Sequence, residues 1–152
     1  MRDPFGRQLG FGYDSAGRIA TLTAPGGAIT RYGYDAASNL ESVTWPDGNQ
    51  RHYHYEDSRW PHALTGVSDE LGVRIDTSSY DDKGRVTENA GAGGANRLQL
   101  SYATNNQTTV TSYASGVAVS SSYTFQRTGG LMRPTAISAP CSLCGTTSRS
   151  SV

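Results

Sequence analysis

The chain has 152 residues, the size of one ordinary domain, with thirteen Lys+Arg against thirteen Asp+Glu and a formal net charge of zero. That balance excludes a nucleic-acid or membrane-surface binder that works through a basic face. Only 36% of the residues are hydrophobic; no apolar run approaches the ~18 residues of a membrane helix, and no basic start leads into an apolar core as in a signal peptide.

Glycine (18), proline (6) and tyrosine (9) punctuate the chain, and Lys83 is its single lysine. Strong helix formers never gather at 3.6-residue spacing, whereas Tyr, Thr, Val and Ile recur in short runs between turn residues, which predicts an all-β fold. In chain order, Met1 to Leu9 reads as the later part of a repeating unit. Tyr13-Asp14-Ser15-Ala16-Gly17-Arg18-Ile19 then opens a pattern that returns at Tyr34 to Leu40 and at Tyr80 to Val86. Leu22-Thr23-Ala24-Pro25-Gly26-Gly27 returns as Val43-Thr44-Trp45-Pro46-Asp47-Gly48, and Arg31-Tyr32-Gly33-Tyr34 as His52-Tyr53-His54-Tyr55. Tyr13, Tyr34 and Tyr55 are evenly spaced, and Tyr80, Tyr102 and Tyr123 continue the series less regularly.

Each unit reads as two strands and two turns. In Asp14 to Gly17 the carboxylate can accept from following amides, and Gly17 takes the left-handed place that closes a type I turn with a bulge. Pro46-Asp47-Gly48 makes the opposite turn, with proline fixing φ. Between the turns lie strands of about five to seven residues. Tyr32 and Tyr34 share a face, as do Tyr53 and Tyr55, so successive units are expected to stack tyrosines into a stripe across neighbouring strands. Ile19 and Leu22, like Leu40 and Val43, are three apart. Either a bulge lies between them or both faces are partly covered. Further on, Gly91-Ala92-Gly93-Gly94 reads as a flexible bend, lacking the lysine and helix of a phosphate loop. After Phe125, Ser, Thr, Pro and Cys predominate with little strand patterning.

The pattern Tyr-Asp-x-x-Gly-Arg, then Thr-x-Pro-x-Gly, then Tyr-x-Tyr-Asp resembles the YD repeat of the RHS (rearrangement hotspot) and teneurin-type proteins, over roughly Phe5 to Phe125. Tyr53 to Gly66 is similar to a degenerate unit of bacterial RHS proteins. The resemblance marks Tyr13, Asp14, Gly17, Arg18, Tyr34, Asp35, Pro46, Asp47, Gly48, Tyr55, Tyr80, Asp81, Gly84 and Arg85 as repeat-defining structural residues. Departures are Ser38 for the turn glycine, Glu56 for the aspartate, and Asn105-Asn106 where glycine is expected; asparagine tolerates the left-handed turn next best. The implied fold is a curved strip of tandem antiparallel hairpins, part of a β-shell. The stretch 1–125 is then a run of repeats, each of about 21 residues, and 126–152 a degenerate repeat or loosely ordered tail.

Such shells in bacteria enclose a C-terminal toxin domain exported to competing cells. With six or seven units, no self-cleaving core region, no toxin domain and no cap at either end, the chain is expected to be a piece of shell wall from a truncated gene or an incomplete reading frame. Its implied partners are the remaining repeats and a toxin domain, with secretion components or carbohydrate as further candidates, and its implied location is secreted or cell-surface.

Cys141-Ser142-Leu143-Cys144 is the most site-like motif. It can be structural, a disulfide in an exported protein, or half of a metal site lacking a second pair; bacterial RHS proteins show a similar CxxCG between repeat blocks. His52, His54 and His62 could supply nitrogen to that motif but lie far upstream of it in repeat strands; His52 and His54 share a strand face and could chelate a metal together, but such pairs more often occupy polar surface. Asp14, Asp35, Asp47 and Asp81 recur singly, one per turn, unlike the clustered oxygens of a calcium site. With no catalytic grouping apparent, the expected role is non-catalytic and without cofactor. The alternative is a surface adhesion or carbohydrate-binding module that uses the aromatic stripe. An outer-membrane barrel is discounted because runs such as Asn49 to His52 are too polar.

Overall fold

The computed structural model describes residues 1–114, 116–138 and 148–150. It is all-β, as expected, and the chain divides into two compact units, Met1–Asp76 and Thr77–Val152. In the first unit β1 (Gly10–Tyr13), β2 (Ile19–Thr23), β3 (Ile29–Tyr34), β4 (Leu40–Thr44), β5 (Gln50–His54) and β6 (Gly66–Ser68) lie side by side in chain order, each antiparallel to the next. Strand β7 (Arg74–Tyr80) runs across the division. The second unit continues with β8 (Val86–Gly91), β9 (Leu98–Thr104), β10 (Gln107–Ala114), β11 (Val117–Thr128), β12 (Leu131–Ser138) and β13 (Ser148–Ser150), again antiparallel in sequence order.

The three-residue spacings are explained by bulges. Gly12 pairs with Thr21 but Tyr13 with Ile19, leaving Ala20 unpaired; Gly33 pairs with Ser42 but Tyr34 with Leu40, leaving Glu41 unpaired. Each extra residue returns the next aliphatic side chain to the same face. One face therefore gathers Phe11, Tyr13, Ile19, Leu22, Tyr32, Tyr34, Leu40 and Val43, while the other carries the opposed pairs Gly12–Thr21 and Gly33–Ser42. These glycines permit close approach: a Cβ on either would run into the partner's hydroxyl oxygen.

The tyrosine stripe differs from expectation. Tyr34 faces Leu40, Tyr32 faces Val43 and Tyr53 faces Val67. Tyrosines separated by one full sequence repeat sit one whole hairpin apart, so a strand bearing aliphatic residues lies between them. Tyr55 lies past the end of β5 and does not extend the Tyr53 row.

One further departure concerns a turn. Asn105 and Asn106 turn β9 into β10 with neither in the left-handed region; among the described residues the non-glycine positions there are Ser38 (φ 67°) and Asn96 (φ 50°). Beyond Phe125, β11 continues to Thr128 and pairs with β12 around Gly129-Gly130. Pairing to β11 forms β12 from Leu131 to Ser138 despite the weak alternation there. Burial is shallow throughout: among the described residues, Val43 (4% exposed) and Ala90 (8%) are the buried apolar side chains.

Candidate functional site

The signature residues converge on the turns. In Asp14–Arg18, the Asp14 N–H donates to the Arg18 carbonyl (2.9 Å) and the Gly17 N–H to the Asp14 carbonyl (3.0 Å). The same pair of bonds closes the turns beginning at Asp3, Ala24, Asp35, Trp45, Asp69 and Asp81. The fourth residue is left-handed each time, Gly17 at φ 77° and Gly84 at 72°, which favours glycine; Ser38 bears this strain at 67°. Pro46-Asp47-Gly48 therefore forms the same turn as Asp14 to Gly17, at the opposite end of the hairpin. From Asp3 the turns follow at Asp14, Ala24, Asp35 and Trp45, so each sequence repeat holds two turns of one type.

Aspartate and arginine lock the turn from its side. Asp14 Oδ1 accepts the N–H groups of Ala16 and Arg18, both at 2.9 Å, and Oδ2 accepts Arg18 Nε at 2.8 Å. Asp81 repeats this with Lys83 and Arg85, and Asp3 with Phe5 and Arg7. The Arg85 amide, and then its guanidinium, hold the Asp81 carboxyl down to about 2. Asp14 is lowered in the same way by Arg18, amide first and then guanidinium. In the variant turn, Asp35 binds the amide and side-chain nitrogen of Asn39, both at 2.8 Å.

The arginine then reaches the next unit. Arg18 lies 4.4 Å from the centre of the Tyr34 ring, and the Tyr34 hydroxyl donates to the Ile19 carbonyl at 2.9 Å. Arg85 lies 4.0 Å over Tyr102, whose hydroxyl donates to Val86 at 2.7 Å. Arg97 lies 4.8 Å over Tyr113. This strut from turn to tyrosine escapes sequence reading, although its signal is present: a tyrosine follows the turn arginine at a nearly constant interval, Arg18 to Tyr34 and Arg85 to Tyr102.

Turns are also tied to one another. Arg18 Nη1 donates to Ser38 Oγ at 2.9 Å. Asn39 Nδ2 donates to Asp35 Oδ2 and to the Pro61 carbonyl, so its Oδ1 accepts, and the shared proton lies on His62 Nδ1 at 2.7 Å. Toward the other end of the strands, Glu70 accepts from Trp45 Nε1 (3.3 Å) and Arg51 Nη2 (2.7 Å).

The histidines thus separate by role. His62 serves the Asn39 junction, and His54 Nε2 contacts Ser68 Oγ at 2.8 Å. Among the described residues, no three His, Cys, Asp or Glu side chains gather as a metal site. Cys141 and Cys144 lie outside the described residues. Gly91 to Gly94 form a bend closed by the Gly91 N–H on the Ala95 carbonyl at 2.7 Å. Glu56, which replaces the aspartate of the pattern, leaves the turn system and pairs with Arg74 at 2.9 Å.

Residues 1–29 and 13–50 match the RHS Repeat family. No curated protein matches the chain. The matched stretch contains the first five of the locked turns and the Arg18–Tyr34 strut, and over these residues, about a third of the chain, the sequence is similar to RHS repeats.

Proposed function

We propose that the chain is a non-catalytic stretch of shell wall in a larger RHS protein, and that this wall encloses a C-terminal toxin domain delivered into competing cells. RHS repeats are structural repeats of extracellular and cell-surface proteins. The observation that carries the reading is where the signature side chains are spent. Asp14, Gly17, Arg18 and Tyr34, like Asp81, Gly84, Arg85 and Tyr102, close turns and brace one strand against another. A wall requires residues committed to their neighbours; a reaction centre requires groups left for substrate. The remaining repeats and the toxin domain are the partners, with secretion components handling export.

The test uses the uninterrupted reading frame around this gene and its full-length product. We expect further repeats and a C-terminal domain that resists added protease until the repeats are unfolded. A C-terminal domain cut as fast within the full-length protein as on its own would overturn enclosure.

The adhesion or carbohydrate-binding reading has one observation in its favour, Tyr13 at 63% exposed. Tyr34, Tyr102 and Tyr113 each carry a guanidinium where a sugar ring would stack. A glycan array probed with the soluble chain decides: binding lost in Tyr13→Ala supports this reading, and no binding removes it.

A further inference from the structure

Outside the repeated turns, one cluster joins the end of β5 to β6 and β7 around the segment 55–64. His54 Nε2 lies 2.8 Å from the hydroxyl of buried Ser68, and His54 Nδ1 lies 3.9 Å from Glu56 Oε1. Glu56 is at present committed elsewhere. Arg74 donates to both its oxygens, Nη2 to Oε2 at 2.9 Å and Nη1 to Oε1 at 3.2 Å, and the Thr65 hydroxyl lies 3.2 Å from Oε2. Arg74 also donates to the Thr65 carbonyl (2.9 Å) and the Asp76 carbonyl (3.1 Å), and its guanidinium covers Gly66, where an added Cβ would run into it. Thr65 in turn closes the base of the segment: its N–H donates to the His54 carbonyl (2.7 Å), and its Oγ1 accepts the Glu56 N–H (3.0 Å).

We propose that His54, Glu56 and Arg74 form a proton-operated latch, in which protonation of His54 draws the Glu56 carboxylate off Arg74 and loosens the base of the segment 55–64. Neutral His54 can donate from only one ring nitrogen; the imidazolium donates from both, so Nε2 keeps Ser68 while Nδ1 offers a charged donor to Glu56. The Glu56 side chain is 61% exposed and can swing across the remaining gap. Arg74 then loses its bidentate partner, the stronger kind of contact, and with it the anchor for its hold on Thr65.

The surroundings set the direction of response. Burial, then Arg74, then His52 on β5 oppose charge on His54, while Glu56 and Glu41 on β4 favour it, and the balance holds the imidazole below its ordinary 6.5. The folded chain therefore binds this proton less readily than the unfolded chain. The contribution is full above pH 6.5 and is lost as pH falls below it. Asp14, Asp35 and Asp81 are held below the ordinary carboxylate value by their turn hydrogen bonds, so the two responses separate along the pH axis. The latch is independent of the shell reading.

Side-chain NMR and amide hydrogen exchange on the full chain, between about pH 7.5 and 5.5 where an ordinary histidine titrates, provide the test. As His54 titrates, the Glu56 carboxyl and Arg74 guanidinium signals are expected to shift together, and the Thr65 amide to lose protection relative to β3 and β4. In His54→Gln, which keeps a polar side chain without the titration, that loss is expected to vanish. His54 titrating with Glu56 and Arg74 unmoved would overturn the proposal, as would His54→Gln losing Thr65 protection over the same range. The wild-type titration reads the latch even where the variant fails to fold.

Discussion

Asp81 shows how much a single turn residue does here. Its carboxylate accepts two backbone amides and one guanidinium, and those bonds hold it at about 2 against an ordinary 3.8. Because its folded value is the lower one, its contribution is present above about pH 3.8 and lost as pH falls toward 2. Asp81→Asn is expected to flatten that arm of the acid-unfolding curve, followed by circular dichroism. Arg85 adds the stack on Tyr102, and such a stack contributes about 0.5–1 kcal/mol at a partly exposed site. Arg85→Ala is expected to lower the urea midpoint, and Arg85→Lys to recover part of the loss, since lysine lacks the planar fork. At Ser38 the left-handed backbone costs about 1–2 kcal/mol relative to glycine. Ser38→Gly gives up the exposed bond from Arg18 and some unfolded-chain entropy, about 0.5–1 kcal/mol, leaving an expected gain of up to about 1 kcal/mol, measured as a higher urea midpoint.

At the scale of the element, the bulge decides which face a strand presents. Glu41 is the extra residue of β4: Leu40 pairs with Tyr34 and Ser42 with Gly33 around it, so without it the ladder would run regularly and Val43 would still face Tyr32. Deleting Glu41 is therefore expected to keep Val43, the most buried apolar side chain described, covered and to leave hydrogen-exchange protection in β3 to β5 in place; loss of that protection would show that the bulge itself is needed for packing. Substituting Glu41 by Ala keeps the register and is expected to be close to neutral. Much of this level was legible beforehand. The Asp-x-x-Gly spacing marks the turns at Asp3, Asp14, Asp69 and Asp81, because a left-handed position admits few residues other than glycine. The bulge was only one of two readings, since Ile19 and Leu22 carry the same spacing whether one face or both is covered. The struts from Arg18 to Tyr34 and from Arg85 to Tyr102 were not legible, because they depend on which strands become neighbours.

For the whole molecule, strand-to-strand adjacency replaces a deep core. Within each unit the strands pair with those next in sequence, and few of the described side chains are fully covered. Stability in such arrays is a sum of local units and nearest-neighbour terms. Val43→Ala is therefore expected to reduce hydrogen-exchange protection in β3 to β5 while β10 and β11 keep theirs. A uniform loss across both hairpins would show instead that the array unfolds as one cooperative body.

By itself, the sequence determined the class of fold, the places of the turns and the period of the hairpins. Those follow from backbone preferences of Asp, Pro, Gly and β-branched residues, which act within a few positions. Only the tertiary structure decided that Ala20 and Glu41 are bulged, that aliphatic rows separate the tyrosines, and that Asn39 meets His62. These are contacts between strands, fixed by pairing register rather than by any residue's own preference.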